Sequence, residues 1–289
     1  MKDIIITRTK EIDYLQFTKL LEFQDKLIHA HFLKSHNIGF NLLKDIEIRE
    51  SSINKISNEF GINKNSFVQS NQTHSDNIAE FNKLEIHKAQ KNIFSKNRVN
   101  EDSKNVSIEF TGEIIDNNDG YIVSEPNIAT IITYADCVPI FIYDPKNNIY
   151  ANIHAGWRGV VNQISIKAIN KLIKDYNSNV SNLICCIGPN IRKECFLVNS
   201  DLVDIYSTTF KEIAKNMPII EDTEYSNEKG KQYRIDNNTI LKELFKKSGI
   251  LEKNIIDSNI CTVCDSDNFH SRRVEGPNFQ KNGGLMMCN

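Results

Sequence analysis

The sequence predicts an α+β domain of stacked layers, and three observations lead there. Short β-branched or aromatic runs follow one another between residues 120 and 153, each closed by a turn signal. Two later segments, beginning near residues 161 and 236, carry apolar residues at helical spacing. Strands and helices come in unequal blocks rather than in regular βαβ alternation, which favours a layered α+β arrangement with mixed sheets.

Taken in chain order, residues 66–70 read as a strand leading into Asn71-Gln72-Thr73-His74. Residues 81–108 are rich in Lys, Asn, Ser and Glu with no steady period, and read as an exposed polar insertion. Residues 120–123, 128–133, 138–143 and 149–153 are predicted strands, separated by Glu125-Pro126-Asn127 and by the turn residues 144–148. From Val161, the residues Ile164, Ala168, Ile169, Leu172, Ile173 and Tyr176 fall on one helical face. Residues 183–187 read as a buried strand ending in Gly188-Pro189. A last helix starts after Asp236 as N-cap, repeats through Ile240, Leu241, Leu244 and Phe245, and stops at Gly249.

With 289 residues, 40% of them hydrophobic and 25% charged, the chain has the composition of an ordinary globular protein with a sizeable core. It is read as a single domain over 1–289. A net charge of −2 gives no basic field for a nucleic-acid partner. No apolar run reaches the roughly 18–20 residues that span a bilayer, and the amino terminus lacks a signal-peptide pattern. The expectation is a cytoplasmic protein with no membrane partner, as a monomer or a small homo-oligomer. Seven cysteines, two of them adjacent, do not make a disulfide scaffold; in a reducing compartment they are core residues, ligands or nucleophiles.

Three segments place reactive side chains at predicted strand ends: Gln72-Thr73-His74, Ala135-Asp136-Cys137-Val138-Pro139, and His154-Ala155-Gly156-Trp157-Arg158-Gly159. A hairpin turning at 144–148 would bring Cys137 back beside His154. Two imidazoles and a thiolate leave a tetrahedral zinc ion one ligand short, the open position a catalytic zinc needs to activate water. Core packing of these residues and a Cys137 nucleophile with a His base are the competing readings. Gly156 to Gly159 suggest an anion site at a helix start with Arg158 beside it, against a plain tight turn. Cys261 and Cys264 with His270 offer too few ligands for a closed structural zinc, so no metal is expected there and the chain should hold one. Arg272 and Arg273 stand near enough in sequence to reach a phosphate, or form a solvated pair.

Together these motifs resemble the laccase-domain family, also described as multicopper polyphenol oxidases, whose members are purine nucleoside phosphorylases with adenosine deaminase activity. Supporting matches are Asp119-Gly120-Tyr121-Ile122-Val123, Ile187-Gly188-Pro189, Cys261-Thr262-Val263-Cys264-Asp265, and Phe269-His270-Ser271-Arg272-Arg273. Phe40-Asn41-Leu42 resembles the family's amino-terminal Ser-Leu-Asn-Leu, which puts Asn41 among the candidate substrate contacts. The resemblance implies a four-layer α/β/β/α sandwich and a metal, zinc or else copper, on His74, Cys137 and His154. It implies a purine nucleoside and phosphate as substrates, with Arg158 and Arg273 as contacts. Asp136, the carboxylate nearest the ligands in sequence, is the candidate proton shuttle for deamination.

The chain departs from the family in lacking a late arginine after 271–276, in Cys195-Phe196-Leu197-Val198 replacing Cys-Tyr-Glu-Val, and in its longer 81–108 segment. Some members look like peptidoglycan editing factors that remove a wrongly added amino acid from a UDP-muramyl precursor. Multicopper oxidase chemistry needs more His ligands than the seven present, most of them scattered. A binding module without activity would have little use for an open metal position.

Overall fold

The computed structural model describes residues 3–40, 46–82, 114–228 and 230–289. Asn41 and nearly all of the 81–108 segment lie outside the described residues. The first sheet has seven strands. In spatial order they are β1 (Ile4–Arg8), β2 (Asp13–Phe17), β3 (Leu27–Phe32), β16 (Asn282–Cys288), β8 (Ala129–Tyr134), β4 (Phe67–Asn71) and β6 (Ile114–Asp116). The second has six: β15 (Ile255–Asp257), β11 (Ile184–Ile187), β9 (Val138–Asp144), β10 (Ile149–Ala155), β7 (Gly120–Val123) and β5 (Ile78–Phe81). A small antiparallel sheet joins β12 (Leu197–Asn199), β14 (Gly230–Ile235) and β13 (Ile220–Asn227). Both large sheets are mixed: β4 runs parallel to β6 and β8, β5 to β7, and β11 to β15, while the other pairings are antiparallel.

Among the described residues the helices are α1 (Thr18–Leu21), α2 (Ile46–Phe60), α3 (Trp157–Val161), α4 (Ile164–Tyr176), α5 (Ser200–Thr209), α6 (Lys211–Ala214), α7 (Asn237–Lys247) and α8 (Arg272–Glu275). Period-two alternation sorts the strand residues onto two faces and so creates the layers. Phe17, Leu27, Val68, Ile132 and Met286 of the first sheet meet Tyr121, Phe141, Tyr143, Tyr150 and Cys186 of the second in one apolar cluster between the sheets. On the far face of the first sheet, Ile131 and Leu285 pack with Ile53 and Ile56 of α2. On the far face of the second, Ile140, Ile142, Ala151 and Ile153 receive Ile169 and Leu172 of α4 and Leu241 and Phe245 of α7. That is the expected α/β/β/α sandwich.

Local rules explain the boundaries. The β9–β10 hairpin turns at 145–148, where Asp144 Oδ1 accepts from the backbone N–H groups of Lys146 and Asn147 and Asn148 adopts a φ of 53°. The helical run from residue 157 is two helices, because Gln163 at φ 56° interrupts it. Asp236 caps α7 by accepting from the Thr239 N–H at 2.9 Å, and Gly249 follows its end at φ +94°. Among the described residues no helix is long and apolar enough to cross a membrane.

Candidate metal centre

The β9–β10 ladder places two of the three predicted ligands. Its last pairs are Pro139 with His154 and Val138 with Ala155. Cys137 stands one residue beyond Val138, so by strand alternation its side chain shares the face of His154 diagonally across the pair. Gly156 comes opposite Cys137. A Cβ there would collide with the His74 ring and sit 3.3 Å from the Cys137 Sγ. Glycine at 156 is therefore what lets His74 approach.

His74 arrives from the loop after β4, held by the preceding motif residue. Gln72 is zipped to the end of β8: its Nε2 donates to the Thr133 carbonyl at 2.7 Å, and its Oε1 accepts from the Thr133 N–H at 2.6 Å. His74 itself has a φ of 59°, a turn conformation uncommon for a side-chain residue. The outcome is a compact donor set. One ligand atom each from His74, Cys137 and His154 lies within 4.8 Å of the others, and Cys137 Sγ is 3.6 Å from His74 Nε2.

Asp119 organises the centre, and it entered the sequence reading only as part of a motif match. It is fully buried. Its Oδ1 meets His154 Nδ1 at 2.8 Å and accepts from the His74 N–H at 3.1 Å. Its Oδ2 accepts from the Thr73 and Ser75 N–H groups and from the Ser75 hydroxyl. An acceptor at Nδ1 fixes the His154 tautomer and leaves Nε2 for an ion, the usual outer partner of a ligating histidine. Burial opposes the Asp119 charge, but the hydrogen bond and charge of His154 and the Ser75 donors hold its carboxyl below the usual range. The only advance signal was an acidic residue followed by Gly120 at the head of a strand.

The side chains of the centre polarise its thiol. Burial favours neutral Cys137, yet the charge of His154 and hydrogen bonds from His154 and His74 bring it down to about 6. For His154, burial works against protonation, while the Cys137 charge and Asp119 raise it to about 9. Lys281, a further residue the sequence did not single out, is lowered by burial, with the charges of Cys137 and Asp119 opposing that.

The centre opens into a cleft of about 530 Å³ lined by Trp157, Arg158, Phe196, Asn237, Arg272 and Arg273 among others. The Arg158 guanidinium stacks 4.3 Å over the Trp157 ring. The helix that opens at Trp157 has only five residues, so its dipole is short and any anion attraction rests on the arginine charges. Arg273 points its guanidinium at the carbonyls of Cys195 (3.0 Å) and Leu197 (3.4 Å). Arg272 instead lies 5.7 Å from the Phe279 ring. Asp136 borders the cleft with both carboxylate oxygens engaged, Oδ1 by the Thr262 hydroxyl at 2.7 Å and Oδ2 by the Arg273 N–H at 2.8 Å.

The surroundings of Cys261 and Cys264 differ from the sequence reading in one ligand atom. The fold carries a third thiol, Cys195, to that pair. His270, which the sequence offered instead, turns its ring to Glu275 at 2.9 Å.

Comparisons with known proteins place this architecture. A purine nucleoside phosphorylase of Staphylococcus epidermidis is 26% identical over 282 residues, 95% of each chain. One from Bacillus subtilis, named YlmD, is 29% identical over 155 residues, 54% of this chain, and the match spans about half (53%) of that relative's length. An adenosine deaminase from an unknown prokaryotic organism is 25% identical over 224 residues, covering 76% of this chain and 74% of its own. The crystal structure of YlmD from Geobacillus stearothermophilus superposes with a TM-score of 0.76 at 17% identity, covering 99% of both chains. The profile of the multi-copper polyphenol oxidoreductase laccase family matches residues 26–288, and the chain belongs to that family.

Proposed function

We propose that the protein is a metal-dependent purine nucleoside enzyme, splitting nucleosides with phosphate and deaminating adenosine. The observation that carries this reading is the His74–Cys137–His154 donor set opening onto a cleft that also holds Trp157 and three arginines. Relatives named for both activities support it.

The donor set suits zinc: two imidazoles and a thiolate, with one position left toward the cleft. Copper can use the same two imidazoles and thiolate, but among the described residues no further histidines gather beside them to make a multicopper cluster. A zinc ion bound there would supply Lewis acidity at the cleft floor. The chain's own residues supply the rest. Asp119 keeps His154 in one tautomer and the 73–75 loop in place. Trp157 and Phe196 offer apolar surface to a planar base. Arg158 and Arg272 offer forked donors to phosphate, with Asn41 and Arg273 as further proposed contacts. In phosphorolysis a phosphate oxygen bonds to the anomeric carbon, and the glycosidic electron pair leaves with the base, which takes up a proton. In deamination water adds at C6 and ammonia departs; Asp136, the carboxylate nearest the ligands in sequence, has both oxygens engaged by Thr262 and Arg273, and the role proposed for it is to hold those two segments together.

The test is turnover of adenosine and inosine with and without phosphate, followed by chromatography, on protein whose metal content is measured in the same sample. Ribose-1-phosphate from inosine and inosine from adenosine are expected, both lost on chelation and regained with zinc. Full activity in metal-free protein would overturn this reading in favour of a Cys137 nucleophile paired with His154.

A further inference from the structure

Three cysteines outside the centre converge from two distant stretches of chain. Cys195 lies in the turn before β12, and Cys261 and Cys264 flank a turn after β15. Their sulfur atoms all fall within 4.8 Å of one another, with Cys195 Sγ and Cys264 Sγ 3.4 Å apart. None is in a disulfide. Packing alone would scatter such thiols into the apolar core, as it does Cys185, Cys186 and Cys288. These three instead sit at a half-exposed surface, with Cys264 outermost.

The Arg192 N–H donates to Cys261 Sγ at 3.4 Å, so one of the three sulfurs is met by a backbone donor rather than by apolar packing. Three sulfurs gathered this closely from separate stretches of chain are a ligand set for a soft cation.

We propose that Cys195, Cys261 and Cys264 form a second metal site, binding one thiophilic d10 cation, zinc(II) or copper(I), through three thiolates. The two cations share this ligand chemistry. Copper(I) is content with three sulfur donors, whereas zinc would complete its tetrahedron with water or a small ligand on the exposed side of Cys264. The ion joins the 192–197 turn to the 261–273 stretch. Both border the cleft: Phe196, Arg272 and Arg273 line it, Thr262 holds Asp136, and Arg273 donates to the Cys195 carbonyl. The site is thus a clasp for one cleft wall, and it stands whether or not the activity proposed above is right.

The experiment is an anaerobic titration of the chelator-treated full chain with cobalt(II), read by the near-ultraviolet sulfur-to-cobalt band and by bound-metal stoichiometry. Wild type is expected to bind two equivalents. Cys195→Ser and Cys264→Ser should each bind one tightly, lose most of the sulfur band, and weaken the second equivalent by at least tenfold. Cys137→Ser should also bind one, but keep most of the band. Competition against a zinc chelator and against a copper(I) chelator then tells which cation is held more tightly. Because Cys264 is exposed, its serine variant should melt like wild type in the metal-free state, which separates lost ligation from lost folding. Two equivalents persisting in the Cys195 and Cys264 variants, or a wild-type stoichiometry and sulfur band that those variants leave unchanged, would overturn the proposal. So would a Cys195–Cys264 disulfide as the resident state of protein prepared under reducing conditions.

Discussion

The cleft has two walls built on different principles. One is formed by strand ends. His154 and Cys137 are set by the β9–β10 register, and Asp119, fully buried, ties His154 to the His74 loop through five acceptor contacts. The other is formed by turns and helices of four or five residues carrying Arg158, Arg272 and Arg273 at or near the surface. Strand register fixes atoms to within fractions of an ångström at no cost beyond the sheet itself, which suits ligands that must share one ion. Arginine on short turns can adjust, which suits recognition of a substrate that comes and goes. On the function proposed here, chemistry belongs to the rigid wall and selection to the compliant one.

If that division is right, the rigid wall should fail abruptly. Cys137→Ala and His154→Ala should each lose metal from the centre and carry activity to the assay floor, since two remaining donors hold zinc poorly. Measured by metal analysis and turnover together, retention of either would break the comparison at its strongest point.

Asp119→Asn should come next, with a loss of about 10–100-fold in metal affinity or in activity, the usual range for an outer partner of a ligating histidine. It also has a signature in pH. In metal-free protein the thiolate of Cys137 is the reactive form, so alkylation should switch on as pH rises through about 6. Removing the Asp119 charge weakens the His154 imidazolium that stabilises that thiolate. The midpoint should therefore move upward, toward the ordinary thiol range. A midpoint unmoved in Asp119→Asn would mean that Asp119 serves only the 73–75 loop. Added zinc should protect Cys137 in both proteins.

The same division explains what could be read from sequence. Strand-borne features were legible because β-branched runs and turn residues leave strong local signals. The hairpin at 145–148, the approach of Cys137 to His154 across it and the α7 caps all follow from nearest-neighbour rules. Asp119 was hidden because its importance lies in contacts 35 residues or more away along the chain. The third thiol was hidden likewise, since Cys195 lies 69 residues from Cys264. The helix read from Val161 starts at Ile164, after Gln163 in a left-handed conformation, and the helix before it has only five residues, too few to show a period. The edge strand β1, its neighbour β2 and the glycine-bearing β16 carry weak patterns, and tertiary pairing decides them.

The compliant wall should fail gently. Arg158→Lys keeps the charge but loses the guanidinium fork and its stacking on Trp157. The apparent KM for phosphate should rise about tenfold, the worth of one charge-assisted hydrogen bond. Adenosine deamination, which uses no phosphate, should change far less. Equal losses in the two reactions would make Arg158 part of the rigid wall, orienting the turn instead of gripping a substrate.

The smallest effect expected is at Asp136, where the walls meet. Its backbone sits at φ 82°, a region that Asn tolerates as well as Asp, so Asp136→Asn changes charge and one acceptor without straining the turn. Asn can still accept from the Thr262 hydroxyl, but an amide group would then face the Arg273 N–H, donor against donor. Losing that one hydrogen bond should cost about 1–2 kcal/mol. It should show as a lower melting temperature and a higher KM, with kcat for deamination within a few-fold of wild type. A carboxylate that carries the proton would behave differently: its removal lowers kcat by about 10²–10⁴-fold and erases the limb of the pH profile that it controls. Both measurements come from one pH series on one variant. A collapse of kcat with KM unchanged would assign Asp136 to the chemistry, and a shift in KM with the pH profile intact would assign it to holding the two walls together.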